Sequence, residues 1–176
     1  MAIIVVCGSG KDVGKTALVC GLIAGLKELG WTAVKVTSHI YGKAEAVWEE
    51  TSAGQGTDTA RYLAAGARRA LLVSAGDNEL GAVVERLMAE FGSRAHLIFE
   101  SNRILNHLRP DVCVAVEGGA AQKGSFVAAA RQVDARVELA EADGFVDGDE
   151  PVFRLRALDR ISAEMAGWLR GRLSAS

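Results

Sequence analysis

Proline is nearly missing from this chain, with 2 in 176 residues, and no long run of one charge sign occurs. Together with a hydrophobic share of 49%, that excludes a disordered chain and fits a globular α/β protein. Cysteine is scarce, and Cys7, Cys20 and Cys113 form no C-x-x-C pair. The spacing offers no metal or redox motif, so the three read as small reduced core residues. The formal charge is only -2, from 20 basic and 22 acidic residues. No basic excess marks a nucleic-acid partner. Apolar runs are of strand length, well short of the ~20 residues that span a bilayer. The N-terminus has no basic n-region before its first apolar run, so no signal peptide is expected. These absences lead us to expect a cytoplasmic protein that forms a single domain over 1–176.

The most informative residues follow the apolar run Ala2-Ile3-Ile4-Val5-Val6-Cys7. They read Gly8-Ser9-Gly10-Lys11-Asp12-Val13-Gly14-Lys15-Thr16. Such a stretch between a buried strand and a helix is a phosphate-binding loop. Glycines let the backbone turn so that several N–H groups face phosphate oxygens. The positive end of the next helix favours the anion. Lys15 is expected to reach the outer phosphates, and the Thr16 hydroxyl to ligate Mg²⁺. Residues Gly8, Gly10 to Thr16 and Ala17 form the expected nucleotide-binding set. Ser9 stands where the strict pattern has a glycine.

Strand-like and helix-like segments alternate along the chain. Strands are expected at 2–7, 32–37, 70–74, 95–99, 112–116, 135–140, 144–146 and 152–155. Helices are expected at 15–29, 58–66, 78–91, 102–108 and 158–173. Residues 38–57 show no period, and 122–150 read poorly outside the two strands named there. Continuous apolar strands imply a mostly parallel sheet with helices on both faces, a three-layer α/β fold. Ligands of such sheets lie beyond the carboxyl ends of the strands.

That edge selects three acids able to hold Mg²⁺ or its waters: Asp58, Glu100 and Glu117. Glu117 ends an apolar strand and precedes two glycines, so it is the best placed. By spacing alone Asp58 reads first as a helix cap, a task that falls to either Thr57 or Asp58. Lys35 interrupts an apolar strand. It either faces an anion at the ligand edge or sits on an edge strand with its head in water. His39 lies in the loop after the second strand, as does Trp48, a candidate lid or contact residue.

The spacing Gly8…Val13-Gly14-Lys15-Thr16, with Val116-Glu117-Gly118 and Lys35, resembles dethiobiotin synthetase. That resemblance implies Mg²⁺ ligation by Thr16, Asp58 and Glu117. It also implies phosphate or substrate contacts by Lys15 and Lys35. Val34-Lys35-Val36-Thr37-Ser38-His39 and Asp58-Thr59-Ala60-Arg61…Ala65-Gly66-Ala67 are similar to segments of the molybdopterin-guanine dinucleotide biosynthesis protein B family. The two families share one branch of P-loop proteins. The protein B likeness implies a homodimeric Mg²⁺-dependent NTPase, slow on its own, that assists molybdenum-cofactor biosynthesis. Its partner would be a molybdenum-cofactor enzyme, and 38–57 its candidate switch. The synthetase likeness implies the alternative, transfer of a γ-phosphoryl group to a small-molecule carboxylate, carbamate or hydroxyl. ATP and GTP both stay open as the nucleotide, since no Asn-Lys-x-Asp motif is present. The catalytic set expected on either reading is Lys15, Lys35, Asp58 and Glu117.

Overall fold

The computed structural model describes residues 1–38, 46–54, 56–91, 95–118 and 124–174. A nine-stranded sheet runs through the chain. Its strands are β1 (Ile3–Gly8), β2 (Thr32–Thr37), β3 (Ala46–Glu49), β4 (Arg69–Ser74), β5 (Leu97–Glu100), β6 (Val112–Glu117), β7 (Ala135–Leu139), β8 (Gly144–Val146) and β9 (Val152–Leu155). The spatial order is β3-β4-β2-β5-β1-β6-β7-β9-β8. All neighbours are parallel except at the two edges, where β3 pairs β4 and β8 pairs β9 antiparallel. The helices are α1 (Lys15–Gly25), α2 (Asp58–Ala64), α3 (Asp77–Phe91), α4 (Gly124–Ala129) and α5 (Ala163–Ser174).

Strand β1 explains the layering. Its side chains alternate between two faces, and both faces are covered. Ile4 and Val6 join a core with Leu18, Leu22 and Ile23 of α1, Tyr62 of α2, and Met165 and Leu169 of α5. Ile3, Val5 and Cys7 join a second core with Leu80, Val83, Leu87 and Phe91 of α3 and Phe126 of α4. This is the expected three-layer α/β fold. The chain crosses to β2 on one side of β1 and later places β6 on the other. The loop after β1 therefore opens at the reversal of strand order, where ligands bind in such sheets. All three cysteines are buried and free. No helix among the described residues is long and apolar enough to cross a membrane.

The differences from the sequence reading are local. Residues 46–49 form edge strand β3, whose Val47 and Trp48 stay exposed and so gave no buried pattern. Helix α1 ends at Gly25, and a 3₁₀ turn at Lys27–Leu29 completes the expected segment. The segment at 102–108 is a 3₁₀ turn, Arg103–Asn106. Helix α4 lies in the stretch that read poorly. The last helix begins at Ala163 rather than 158, because Leu158 and the backbone after it pack on α1. A Cβ placed on Gly21 would lie 2.6 Å from the Leu158 carbonyl oxygen.

Candidate functional site

The loop between β1 and α1 is fixed at both ends. Gly8 exchanges two 2.9 Å hydrogen bonds with the Asn102 side-chain amide. The Ser9 amide donates to the Val116 carbonyl, and the Ser9 hydroxyl donates to the Gly118 carbonyl at 2.8 Å. The residue that departs from the strict glycine pattern thus ties the loop to the end of β6. Gly14, at φ 98°, turns the chain into α1. A side chain there would be strained and would meet Leu158 at 2.2 Å. Asp12 also has positive φ, 58°, which aspartate tolerates better than most residues. The Lys15 ammonium donates to the Gly10 carbonyl at 2.8 Å, arching over the loop.

Glu100 is the centre of the charge arrangement. It ends β5, is only 6% exposed, and accepts from three side chains. Thr16 Oγ1 donates to its Oε2 at 2.8 Å, and the Tyr62 hydroxyl donates to the same oxygen. Lys35 Nζ donates to its Oε1 at 3.0 Å. Lys35 and Glu100 face each other in the register of β2 and β5, so the sheet itself sets this pair. The Lys35 ammonium also pairs with Asp58 Oδ2. Strand β2 is interior, which removes the edge-strand alternative for Lys35. Asp58 is the first residue of α2, not its cap. The Thr57 hydroxyl caps instead, accepting from the Ala60 amide at 3.0 Å. The Asp58 carboxylate is left to serve Lys35, with Arg61 3.7 Å away.

The electrostatics follow from this packing. Burial pulls the Lys35 ammonium down. The charge of Glu100 and the hydrogen bonds to Asp58 and Glu100 outweigh that and hold its pKa above the ordinary lysine value. The Tyr62 hydroxyl is pushed well up by burial first and by the neighbouring Glu100 charge second, so it stays a proton donor.

A cleft of ≈ 530 Å³ brings these groups together. Lys11, Asp12, Gly14, Lys15, Thr16 and Ala17 of the loop line it, with Lys35, Asp58, Arg61 and Glu100 opposite. A second cavity of ≈ 410 Å³ adjoins it and shares Lys35, Thr37 and Asp58. Among the described residues no cluster of three or more His, Cys, Asp or Glu groups forms an all-protein metal cage. A nucleotide-borne Mg²⁺ needs none, since it keeps waters and shares phosphate oxygens. The hard oxygens of Thr16 and Glu100, already 2.8 Å apart beside the loop, suit that ion.

Glu117 is placed differently from the other expected site residues. Its carboxylate accepts from Arg136, which also pairs with Glu150 at 2.9 Å, and it does not line the cleft. The backbone of Gly118, not the Glu117 side chain, meets the loop. We therefore expect Glu117→Gln to keep Mg²⁺-dependent turnover within about threefold of wild type, as for a group outside the phosphate site. A loss of about a hundredfold in a steady-state phosphate-release assay would return the metal role to Glu117. His39 lies outside the described residues, as does part of 38–57. Tyr62 escaped the sequence reading, and Arg61 entered it only as part of the segment Asp58-Thr59-Ala60-Arg61, with no role assigned. Tyr62 lies one turn after Asp58 on α2, and only the fold shows that this face meets Glu100.

The solved structure of the "apo" form of LpxK from Aquifex aeolicus in complex with ATP is similar to this chain. The TM-score is 0.57 at 20% identity, covering 88% of this chain and 53% of that one. The chain thus spans about half the length of that protein. No family model and no curated protein matches the sequence. Placement in the dethiobiotin synthetase or protein B branch rests on the sequence motifs. What the likeness shows is the fold, a three-layer α/β fold with a mostly parallel sheet.

Proposed function

We propose that the protein binds a nucleoside triphosphate with Mg²⁺ and transfers its γ-phosphoryl group, to a small molecule or, when none is bound, to water. One observation carries this reading. The loop, Lys35, Asp58 and Glu100 converge on one cleft, and a second cavity opens from it at Lys35 and Asp58. The ATP named for the LpxK structure makes ATP the first nucleotide to try.

The residues have separable tasks. Loop amides and the N-terminus of α1 cradle the phosphates. Lys15 moves from the Gly10 carbonyl to the outer phosphates. Thr16 and Glu100 would hold the metal, which would supply positive charge against the phosphates. Lys35, kept charged by Glu100 and Asp58, faces the transferred group and stabilises the charge that develops on it. Arg61, on the cleft wall, adds a second positive charge. Such a reaction asks the protein mainly for positioning and charge neutralisation.

The accessory role in molybdenum-cofactor biosynthesis draws its support from the segments around Lys35 and Asp58. It predicts hydrolysis that only a protein partner accelerates. Titration calorimetry with ATP and GTP, each with and without Mg²⁺, tests the common core of both readings. We expect saturable binding that tightens with Mg²⁺. No binding of either nucleotide would overturn the assignment.

A further inference from the structure

The second cavity lies beyond the phosphate cleft, on the side of β3, β4 and α2. Trp48 and Leu72 supply its apolar wall, and Trp48 is 40% exposed. The polar wall holds Glu49, Glu50, Thr57, Thr59 and Asp58. Glu49 is engaged by Arg69 at 2.8 Å. Glu50 is fixed by the Thr57 and Thr59 hydroxyls at 2.8 and 3.2 Å and by the Thr51 and Ser52 amides. The hydroxyl network holds its charge at the wall rather than cancelling it. These bonds also lower the Glu50 pKa, so it is ionised at neutral pH. Among the described residues the cation lining the cavity is Lys35, already opposed by Asp58 and Glu100. The described residues of the wall thus carry a net negative charge even after Arg69 is counted.

Charge sign selects the ligand. A carboxylate or carbamate entering here meets like charge on the wall, which disfavours it relative to an uncharged molecule. A neutral or cationic molecule meets none of this, and carboxylates and threonine hydroxyls accept from its O–H and N–H groups. Trp48, in the lining and 40% exposed, puts an aromatic side chain where a ring or a cation would pack. We propose that this cavity is the acceptor site and that it takes an alcohol without negative charge, carrying its hydroxyl on a ring. The proposal rests on the phosphoryl-transfer reading and narrows its acceptor from carboxylate, carbamate or hydroxyl to hydroxyl alone.

The step balances on residues in view. The acceptor oxygen forms a bond to the γ-phosphorus as the bond from that phosphorus to the β–γ bridging oxygen breaks, and the nucleoside diphosphate leaves with those electrons. The hydroxyl proton passes to the carboxylate of Asp58, which lines both cavities. In the next step that proton returns to solvent, since the Asp58 side chain is 36% exposed.

The test uses the full chain, Mg²⁺·ATP and two probe panels. One holds neutral and amino-bearing ring alcohols: myo-inositol, glucose, glucosamine, pyridoxine and adenosine. The other holds carboxylates of like size: shikimate, quinate and gluconate. ADP release is followed in steady state, and ³¹P NMR identifies any phosphomonoester. We expect at least tenfold stimulation by a member of the first panel with its phosphomonoester formed. Trp48→Ala is expected to raise the KM for that alcohol at least tenfold while the KM for ATP shifts less than twofold, and Trp48→Phe to restore most of the affinity. Stimulation by the carboxylates alone, an unchanged alcohol KM in Trp48→Ala, or no stimulation by either panel overturns the acceptor assignment. In each of those outcomes Mg²⁺·ATP still binds. Failure to bind Mg²⁺·ATP at all overturns the phosphoryl-transfer reading itself.

Discussion

Lys15→Ala is expected to weaken ATP binding by roughly 30- to 700-fold, the equivalent of about 2–4 kcal/mol for removing a charge-assisted hydrogen bond from a partly buried anion site. The ammonium lies over the loop and donates to the Gly10 carbonyl. Its stem packs against Gly8, where an added Cβ would lie 2.9 Å from the lysine methylenes. The side chain is therefore preorganised over the cradle, and a bound phosphate replaces a carbonyl as acceptor without a new backbone arrangement. Alanine leaves the loop tied by Asn102 and Ser9, so the fold is kept. A melting-temperature change below about 4 °C, with ATP affinity weakened to that extent by calorimetry, separates a binding defect from an unfolding one. Near-normal affinity would mean that the loop is a structural turn.

Much of this site was legible in the sequence. The strand–loop–helix pattern around Lys15 depends on local signals: an apolar run, glycines, then a helix face. The β2 strand at 32–37 and the two-faced sheet were legible for the same reason, since continuous apolar strands imply cover on both sides. What a local reading could not place depended on residues distant in sequence. Glu100 and Glu117 each end an apolar strand, so a local reading ranks them by their glycine neighbours. The fold ranks them by what stands opposite. Strand β2 brings Lys35 to Glu100, while β7 brings Arg136 to Glu117. Residues 46–49 were missed because an exposed edge strand shows no buried face. The capping question at 57–58 turned on one residue of register, which periodicity does not resolve.

Replacing Glu100 has the second large effect, and two variants separate its causes. In Glu100→Ala the Tyr62 hydroxyl, wholly buried, loses its acceptor, and Lys35 loses one of the two carboxylates it pairs with among the described residues. Breaking a buried charged cluster from one side costs about 3–5 kcal/mol, so the melting temperature is expected to fall by on the order of 10 °C. Glu100→Gln keeps an oxygen for Tyr62 and Thr16 but removes the charge, and is expected to unfold only a few degrees early. Its catalytic defect remains: roughly 10- to 100-fold more Mg²⁺ for half-maximal turnover, the loss typical when a carboxylate supporting a metal is neutralised. The pH profile adds an independent sign. Lys35 and Tyr62 both have folded pKa values above their unfolded ones. Their contribution to stability is therefore complete below about pH 10 and is lost as pH rises through the folded values. Glu100 supports both shifts, so in Glu100→Gln the alkaline decline becomes shallower. An unchanged Mg²⁺ requirement in that variant, with the shallower decline still seen, would make Glu100 a purely structural anchor for Lys35 and Tyr62. A raised requirement places the metal at Thr16 and Glu100, on the β5 side of the loop.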